Sequence, residues 1–412
     1  MFDISQKIIS LSQECESEIS PIFKYIDDIA QKNQAKVLSA FVNNRVGENC
    51  LSGTTGYGYS DVGRETLEKV YADVFHAENT LVRHNIVNGT HALTIALFGV
   101  LRPGDTLFSA TGKPYDTLDE VIHGDGNGSL RDFGISYRHA ELASGHIDKN
   151  AIVNTLTPDI KAVILQRSRG YDWRPSISVE EIGEVIALIK NIRSDIICIV
   201  DNCYGEFTQT IEPTDVGADL CIGSLIKNCG GSLAQSGGYI AGTNYAVELA
   251  AQRQTTPGIG KECGATLNQN RLMYQGFFMA PHIVAQAMKS AVFCGALMQK
   301  LGYEVNPRPN DIRNDIVQAI KFDDKDKMIR FCQSIQKASP IDSYAVPTPW
   351  DMPGYNHQVI MAAGTFVSGA SIELSADAPI KEPYVLYVQG GITYESAKIA
   401  IMYAAESIEC IV

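Results

Sequence analysis

Apolar residues recur at helical spacing near the start of the chain (Ile4, Ile8, Ile9, Leu11, Ile19, Ile22, Phe23, Ile26, Ile29), which predicts an amphipathic helix or helix pair over 4–31. Such an arm commonly packs on a partner. Between about 33 and 64 the periodicity dissolves into the loop-like LSGTTGYGYSDVGR (51–64), rich in glycine and tyrosine. From about 79 to 243, short β-branched runs alternate with helical stretches: TLVRHNIV then THALTIALFGVL, DTLFSA then DTLDEVIH, AVILQR then SVEEIGEVIALIKNI, and finally IICIVDN, DLCIGSL and GGYIAGT. This rhythm predicts an α/β domain with a mostly parallel sheet. Ser178 and Glu181 carry a capping-box signature at the third helix. Residues 266–301 read as one long helix. After it, the strand-like DIVQAIKF and YVLYVQGG, the helical DKMIRFCQSIQKA and YESAKIAIMYAAESI, and a Pro/Gly-rich section (347–354) predict a smaller α+β unit. The expected organisation is an N-terminal helical arm over 1–55, a large α/β domain over 56–290 with its linker helix running to about 301, and a small C-terminal α+β domain over 302–412.

Composition narrows the class. With 412 residues and 45% hydrophobic content, the chain can bury a large core. A formal charge of −13 without a basic run argues against nucleic acid and anionic membrane as partners. The ten cysteines are scattered, with no C-x-x-C, and read as reduced thiols of a cytosolic protein. No signal peptide is recognisable in the polar N-terminus, and no uninterrupted apolar run approaches the ~18 residues that span a bilayer.

The chemistry centres on Lys227, which lies in GSLIKNCGG (223–231), 26 positions after Asp201. A lysine in a glycine-flanked turn at the exit of a buried strand suits an amine held for Schiff-base chemistry, and a carboxylate closing IICIVDN suits a pyridinium nitrogen. Alone, Asp201 is an ordinary strand-end turn former. NGTHAL (88–93) opens an apolar helix: Asn88 is a good N-cap, and the free amides of Gly89 and Thr90 at a helix N-terminus suit a phosphate. Ser224 is placed to add a hydroxyl to that phosphate. Tyr115, between a strand and a helix, can stack on a planar ring. Tyr57, Tyr59 and Arg64 fall on the irregular loop and are candidates to reach a second subunit's phosphate, with a solvated loop as the even alternative. In QRSRGYDWRPS (166–176), Arg169 is a candidate clamp for a substrate carboxylate, against a surface cluster of salt bridges with Arg167 and Arg174.

Three look-alikes fail. DGNGSLRDFG (125–134) has Leu130 where a calcium loop turns on glycine. PGIGKEC (257–263) lacks the first glycine and the Ser/Thr of a phosphate-binding loop. No metal site is expected, because the eight histidines form no H-E-x-x-H.

Together these residues resemble pyridoxal-phosphate enzymes of fold type I, the cystathionine and methionine lyase group, and within it the methionine γ-lyase-like or aluminium-resistance proteins. GYGYSDVGRE (56–65), NGTHAL, QRSRGYDWRP, VDNCYGEF (200–207), SLIKNCGG and YVQGGITYE (387–395) carry the resemblance over nearly the whole chain. It implies pyridoxal 5′-phosphate as cofactor. Lys227 falls at the Schiff-base lysine, Asp201 at the pyridinium partner, Asn88, Gly89, Thr90 and Ser224 at the phosphate, and Tyr115 at the stacking aromatic. Tyr59 and Arg64 fall at the neighbour-subunit phosphate contacts; Tyr57 and Arg169 are this chain's own candidates for substrate binding. It implies a homodimer or homotetramer with shared sites. Two departures bear on substrate: Ile226 replaces a threonine before the lysine, and YVLYVQGG (384–391) lacks the arginine that holds the substrate carboxylate in the better-known lyases, leaving Arg169 or Lys381.

The expected activity is carbon–sulfur cleavage of a sulfur-containing amino acid, by β- or γ-elimination of a cystathionine- or methionine-like substrate, with Lys227 as base at Cα and Tyr115 moving protons near the leaving group. Transamination, racemisation and γ-replacement use the same cofactor-holding residues. A non-catalytic cofactor-binding protein of metal tolerance is the rival from another class.

Overall fold

The structure, a computed structural model, describes residues 2–352 and 355–409. Pro353 and Gly354 of the Pro/Gly-rich section, and Cys410 among the thiols, lie outside the described residues. Helix α1 (Gln6–Asn43) is one continuous helix whose N-cap Ser5 accepts from the Ile8 amide at 3.4 Å. It runs well past the expected limit near residue 31 because its buried face becomes partly polar. Asn33 lies on that face with Val37 and Ala40 and donates to the carbonyls of Phe207 and Gln209 at 3.0 and 2.9 Å. A hydrogen-bonded amide there breaks the apolar rhythm without breaking the helix. Pro21 is tolerated because the Ser20 hydroxyl takes the Ser17 carbonyl, at 3.0 Å, that the missing amide leaves free.

The loop that follows is tied down by Asp61, whose carboxylate accepts from the Arg64 amide (2.9 Å), Thr54 (2.5 Å), Thr266 (2.6 Å) and Asn270 (3.3 Å). Asp61 is also the N-cap of α2 (Val62–Phe75), a helix absent from the periodicity reading. The chain then alternates through β1 (Asn79–Arg83), α3 (Gly89–Val100), β2 (Thr106–Ser109), α4 (Asp116–His123), β3 (Ser136–His139), α5 (Lys149–Thr155), β4 (Ile160–Gln166), α6 (Val179–Ile192), β5 (Ile197–Asp201), β6 (Leu220–Ser224), β7 (Gly238–Gly242) and α7 (Asn244–Gln254). The strands order as β1-β7-β6-β5-β4-β2-β3. Strand β7 runs antiparallel to β1 and β6, and the other pairings are parallel, as the βα rhythm predicts.

The capping box at α6 forms only in part. Ser178 accepts from the Glu181 amide at 3.1 Å, but the Glu181 carboxylate takes the Ile147 amide at 2.8 Å, so it pins the preceding segment instead of closing the box.

Helix α8 (Asn270–Lys300) is long and apolar enough, by composition, to cross a membrane. Its apolar window is 72% buried inside the protein, which makes it a core helix. Phe277 stacks on Tyr71 at 3.7 Å between ring centroids, and α1 packs along its length. A second sheet follows, from β8 (Glu304–Asn306), β9 (Val317–Lys321), β10 (Val359–Ala362), β11 (Ser375–Pro379) and β12 (Val385–Gln389), in the order β10-β11-β12-β9-β8 and antiparallel throughout. Helices α9 (Lys325–Lys337) and α10 (Tyr394–Glu409) pack together beside it.

Candidate active site

Parallel strands aim their carboxyl ends at one edge, and that edge is where loops gather polar groups. Gln166, Asp201 and Ser224 are the last residues of β4, β5 and β6. All three line a cavity of about 870 Å³, together with Lys227, Tyr115 and, from the second sheet, Asp377.

Lys227 stands three residues beyond β6 at the start of a single tight turn, Asn228–Gly230. The turn folds back so closely that a Cβ on Gly230 would lie 1.5 Å from the Leu225 carbonyl oxygen, so glycine is required there. The Lys227 ammonium lies 4.1 Å from the centroid of the Tyr204 ring. Burial opposes its charge, but the acidic groups around it (Cys203, Tyr204, Asp201, Tyr115) outweigh burial and raise its pKa well above that of an ordinary lysine.

Asp201 is 4% exposed and accepts the Cys203 amide at 3.1 Å. Burial pushes its carboxyl up, and the Lys227 charge and the Cys203 amide pull it back. Tyr115, half-buried, is the N-cap residue of α4, and its hydroxyl lies 3.2 Å from the Thr90 hydroxyl. That contact joins the two βα corners.

Asn88 caps α3 as expected, accepting the His91 amide at 2.8 Å. The amides before it in the first turn, Gly89 and Thr90, donate to no acceptor among the described residues. A Cβ at Gly89 would meet the Cys203 sulfur at 2.8 Å and approach the Ser224 Cβ at 3.6 Å, so helix α3 closes on the ends of β5 and β6 only because residue 89 is glycine. Free amides, a helix N-terminus and the fully buried Ser224 thus converge where a phosphate fits, with a carboxylate and an amine beyond it in the same cavity. This donor set suits pyridoxal 5′-phosphate.

The three arginines after β4 have separate fates. Arg167 is spent internally on Asn202, Gly205, Thr208 and Gln209. Arg174 donates to the Ser168 carbonyl at 2.6 Å. Arg169, 1% exposed, donates through Nη1 to the Asn306 carbonyl at 2.7 Å and approaches Asp315 at 3.6 Å, while its Nη2 has no partner. It lines the cavity; the surface-cluster alternative does not hold for it.

The glycine- and tyrosine-rich loop does not converge on the same cavity. Tyr57 and Tyr59 are 75% and 56% exposed and stack on each other at 5.6 Å. Arg64 is buried, and its terminal nitrogens donate to the carbonyls of Gly58 (2.6 Å), Gly264 (2.8 Å) and Glu262 (3.1 Å). Its fork is therefore occupied within its own chain, and only Nε is without a partner. Among the described residues, no group of three or more His, Cys, Asp or Glu is placed to hold a metal ion.

Sequence reasoning missed several cavity residues. Tyr204 has φ +72, an uncommon value for a bulky side chain, and its hydroxyl bonds Ser371 at 3.2 Å across to the second sheet's segment. Asp377 and Gln389, 5% exposed each, meet at 2.6 Å on adjacent strands β11 and β12. A lone carboxylate in a strand of small residues, SADAP, is the signal that marks Asp377.

Behind the site, Glu206 is fully buried and accepts the Tyr239 hydroxyl at 2.9 Å; burial, reinforced by Glu212, pushes its carboxyl up to about 8. Its folded pKa lies above the unfolded one, so stability is complete below the unfolded pKa and drains, by about 1.4 kcal/mol per pH unit, as pH rises from there to the folded value of about 8. Glu206→Gln, which keeps the acceptor for Tyr239, is expected to flatten the fall in urea midpoint between about pH 5 and pH 8. Equal slopes in the two proteins would refute the assignment.

The methionine gamma-lyase family matches the chain over residues 8–409. The uncharacterized protein YnbB of Bacillus subtilis (strain 168) is 51% identical over 401 residues, covering 96% of this chain and 95% of that one. A solved structure from Clostridium novyi NT, a carbon-sulfur lyase involved in aluminum resistance, superposes with a TM-score of 0.95 at 50% identity over 99% of this chain and 97% of that one. Cystathionine gamma-lyase from Lactobacillus plantarum, at 16% identity, shares the fold alone, with a TM-score of 0.56 over 84% of this chain and 86% of that one. The fold is that of the pyridoxal-phosphate enzymes of fold type I.

Proposed function

The chain belongs to the methionine gamma-lyase family, and from that premise we propose that it is a pyridoxal-phosphate-dependent carbon–sulfur lyase acting on a sulfur-containing amino acid by β- or γ-elimination. The observation that carries this reading is the convergence, in one cavity, of the Lys227 amine, the Asp201 carboxylate and the free first-turn amides of α3. The cofactor, when bound, supplies an acceptor for the electron pair left as the Cα–H bond breaks. Lys227 would hold its aldehyde and would take the Cα proton of the substrate. Asp201 would hold a proton on the pyridine nitrogen. Gly89, Thr90 and Ser224 would bind the phosphate, with Asn88 capping the turn that presents the amides, and Tyr115 would pack against the ring. The Tyr115 hydroxyl, linked to Thr90, delivers a proton to the departing sulfur.

Arg169 is the anchor for the substrate carboxylate, because it is the arginine of this segment that lines the cavity with a buried nitrogen, Nη2, left without a hydrogen-bond partner. The balance is one substrate and one water to one thiol, one oxo acid and one ammonium. The active unit is at least a dimer, and two dimers pair through the N-terminal helices. Tyr57 and Tyr59, exposed and outside their own chain's cavity, serve a partner's site, and Arg64 holds their loop in shape.

The test is a purified sample given the aldehyde cofactor. It should turn yellow, carry a borohydride label at Lys227, scatter light as a dimer or larger, and release oxo acid from cystathionine, methionine or cysteine. A colourless sample or a label elsewhere sinks the cofactor assignment, absence of oxo acid sinks the lyase reading, and a fully active monomer sinks the shared site.

A further inference from the structure

The mechanism leaves one group beside Lys227 unused. Tyr204 lies just beyond the end of β5, lines the cavity, and turns the face of its ring to the Lys227 nitrogen, which stands 4.1 Å from the ring centroid. The ring is held there from both sides. Its backbone sits at φ +72, a left-handed value that is costly for a bulky side chain and persists only where the surrounding structure enforces it. Its hydroxyl accepts from the Ser371 hydroxyl at 3.2 Å, and its body packs against Val317, Ala319, Val385 and Tyr387 of the second sheet.

Burial raises the Tyr204 pKa above that of an ordinary phenol, against the pull of the Lys227 charge, so the ring meets the lysine as a neutral aromatic. A neutral aromatic face attracts a cation far more than it attracts an uncharged amine. The ring therefore discriminates between the two protonation states of Lys227. In the step assigned to this lysine the Cα–H bond breaks, the proton goes to the nitrogen lone pair, and the electron pair stays with the substrate and the cofactor. The amine becomes an ammonium, and a contact that is stronger after that transfer than before it lowers the barrier.

We propose that the Tyr204 ring stabilises Lys227 as it takes the Cα proton, a catalytic role carried by the π face of the ring and not by its hydroxyl, which is spent on Ser371. This rests on Lys227 being the base in the reading above. Other groups bear on the same charge: Asp201, Cys203 and Glu206 at the end of β5 and just after it, Tyr115 at the start of α4, and Asp377 on β11. Changes confined to the ring at position 204 leave all of them in place.

The experiment replaces Tyr204 by phenylalanine, a difluorophenylalanine and pentafluorophenylalanine, a series in which volume changes little while the negative charge of the ring face is drained away, with Tyr204→Leu as the ringless end. In the full chain without cofactor, the pH midpoint for labelling Lys227 with an amine reagent is expected to fall stepwise from Tyr204→Phe along the series, by about 0.5 to 1.5 units at the pentafluoro and leucine ends. In the cofactor-loaded full chain, exchange of the Cα proton of saturating L-alanine with deuterium oxide is expected to slow in the same order, by roughly 3- to 30-fold. Alanine has no leaving group, so this readout is separate from carbon–sulfur cleavage. Midpoints level along the series overturn the proposal, as does a full loss already present in Tyr204→Phe with no further change on fluorination, which assigns the effect to the hydroxyl. Midpoints that fall while exchange stays constant overturn it too, because the ring then holds a charge that the rate does not feel. Exchange absent from the wild type removes the base and the proposal with it. If Tyr204→Leu fails to fold, the fluorinated series carries the test. Graded exchange and graded midpoints without oxo acid from any thioether would sink the lyase reading and sustain the role of the ring.

Discussion

Lys227→Arg is expected to yield a folded, dimeric protein whose oxo-acid release is reduced on the order of 10⁴-fold. The substitution keeps the positive charge that the site is built around: the guanidinium still faces the Tyr204 ring, now held 4.1 Å from the lysine nitrogen, and still opposes the buried Asp201 carboxylate. What it removes is chemical. A guanidinium keeps its proton at every accessible pH, so it neither forms an imine with the aldehyde nor accepts a proton from Cα. Lys227→Ala should be as inactive but less stable, because it leaves Asp201 buried with its nearest opposing charge gone. The pair of variants separates charge from nucleophile. Activity of Lys227→Arg within about tenfold of wild type would show that another amine carries the reaction.

Much of this site is legible in the chain because the residues that matter interrupt local rules. Lys227 breaks a run of small residues after an apolar strand, Asp201 ends such a strand, and Asn88-Gly89 opens an apolar helix. Each interruption is local, and local signals survive in a sequence. The alternation of β4, α6 and β5 is legible for the same reason, since the two strands are short, almost wholly buried apolar runs and α6 buries one face at helical spacing. The end of α1 is not legible, because Asn33 is buried through bonds to Phe207 and Gln209, 174 and 176 positions away. The surroundings of Arg64 are hidden in the same way, since only the folded chain brings the carbonyls of 262 and 264 to its fork. Asp377 belongs with these. Its hydrogen-bond partners Gln389 and Tyr171 come from the next strand and from the loop after β4. The cavity wall around Asn88, Asp201 and Lys227 is thus written in contiguous motifs, whereas the wall around Asp377 is assembled from distant ones.

Asp201→Asn is expected to lower kcat/KM by roughly 10²- to 10³-fold without loss of fold. The asparagine retains an oxygen for the Cys203 amide, now bonded at 3.1 Å, and removes a carboxylate that burial already disfavours, so urea midpoints should be unchanged or higher. Catalysis falls because a neutral amide has no charge with which to hold the pyridine nitrogen protonated, and the acceptor of the Cα electron pair becomes weaker. The loss should appear in kcat, since the substrate's anchor at Arg169 is untouched. A second readout is independent of turnover. In the protein without cofactor, Asp201 is one of the acidic groups that raise the Lys227 pKa, so its removal should shift the pH profile of Lys227 labelling by an amine reagent to lower pH. A variant whose kcat stays within about threefold, and whose lysine profile does not move, would reduce Asp201 to a residue that merely turns the chain at the end of β5.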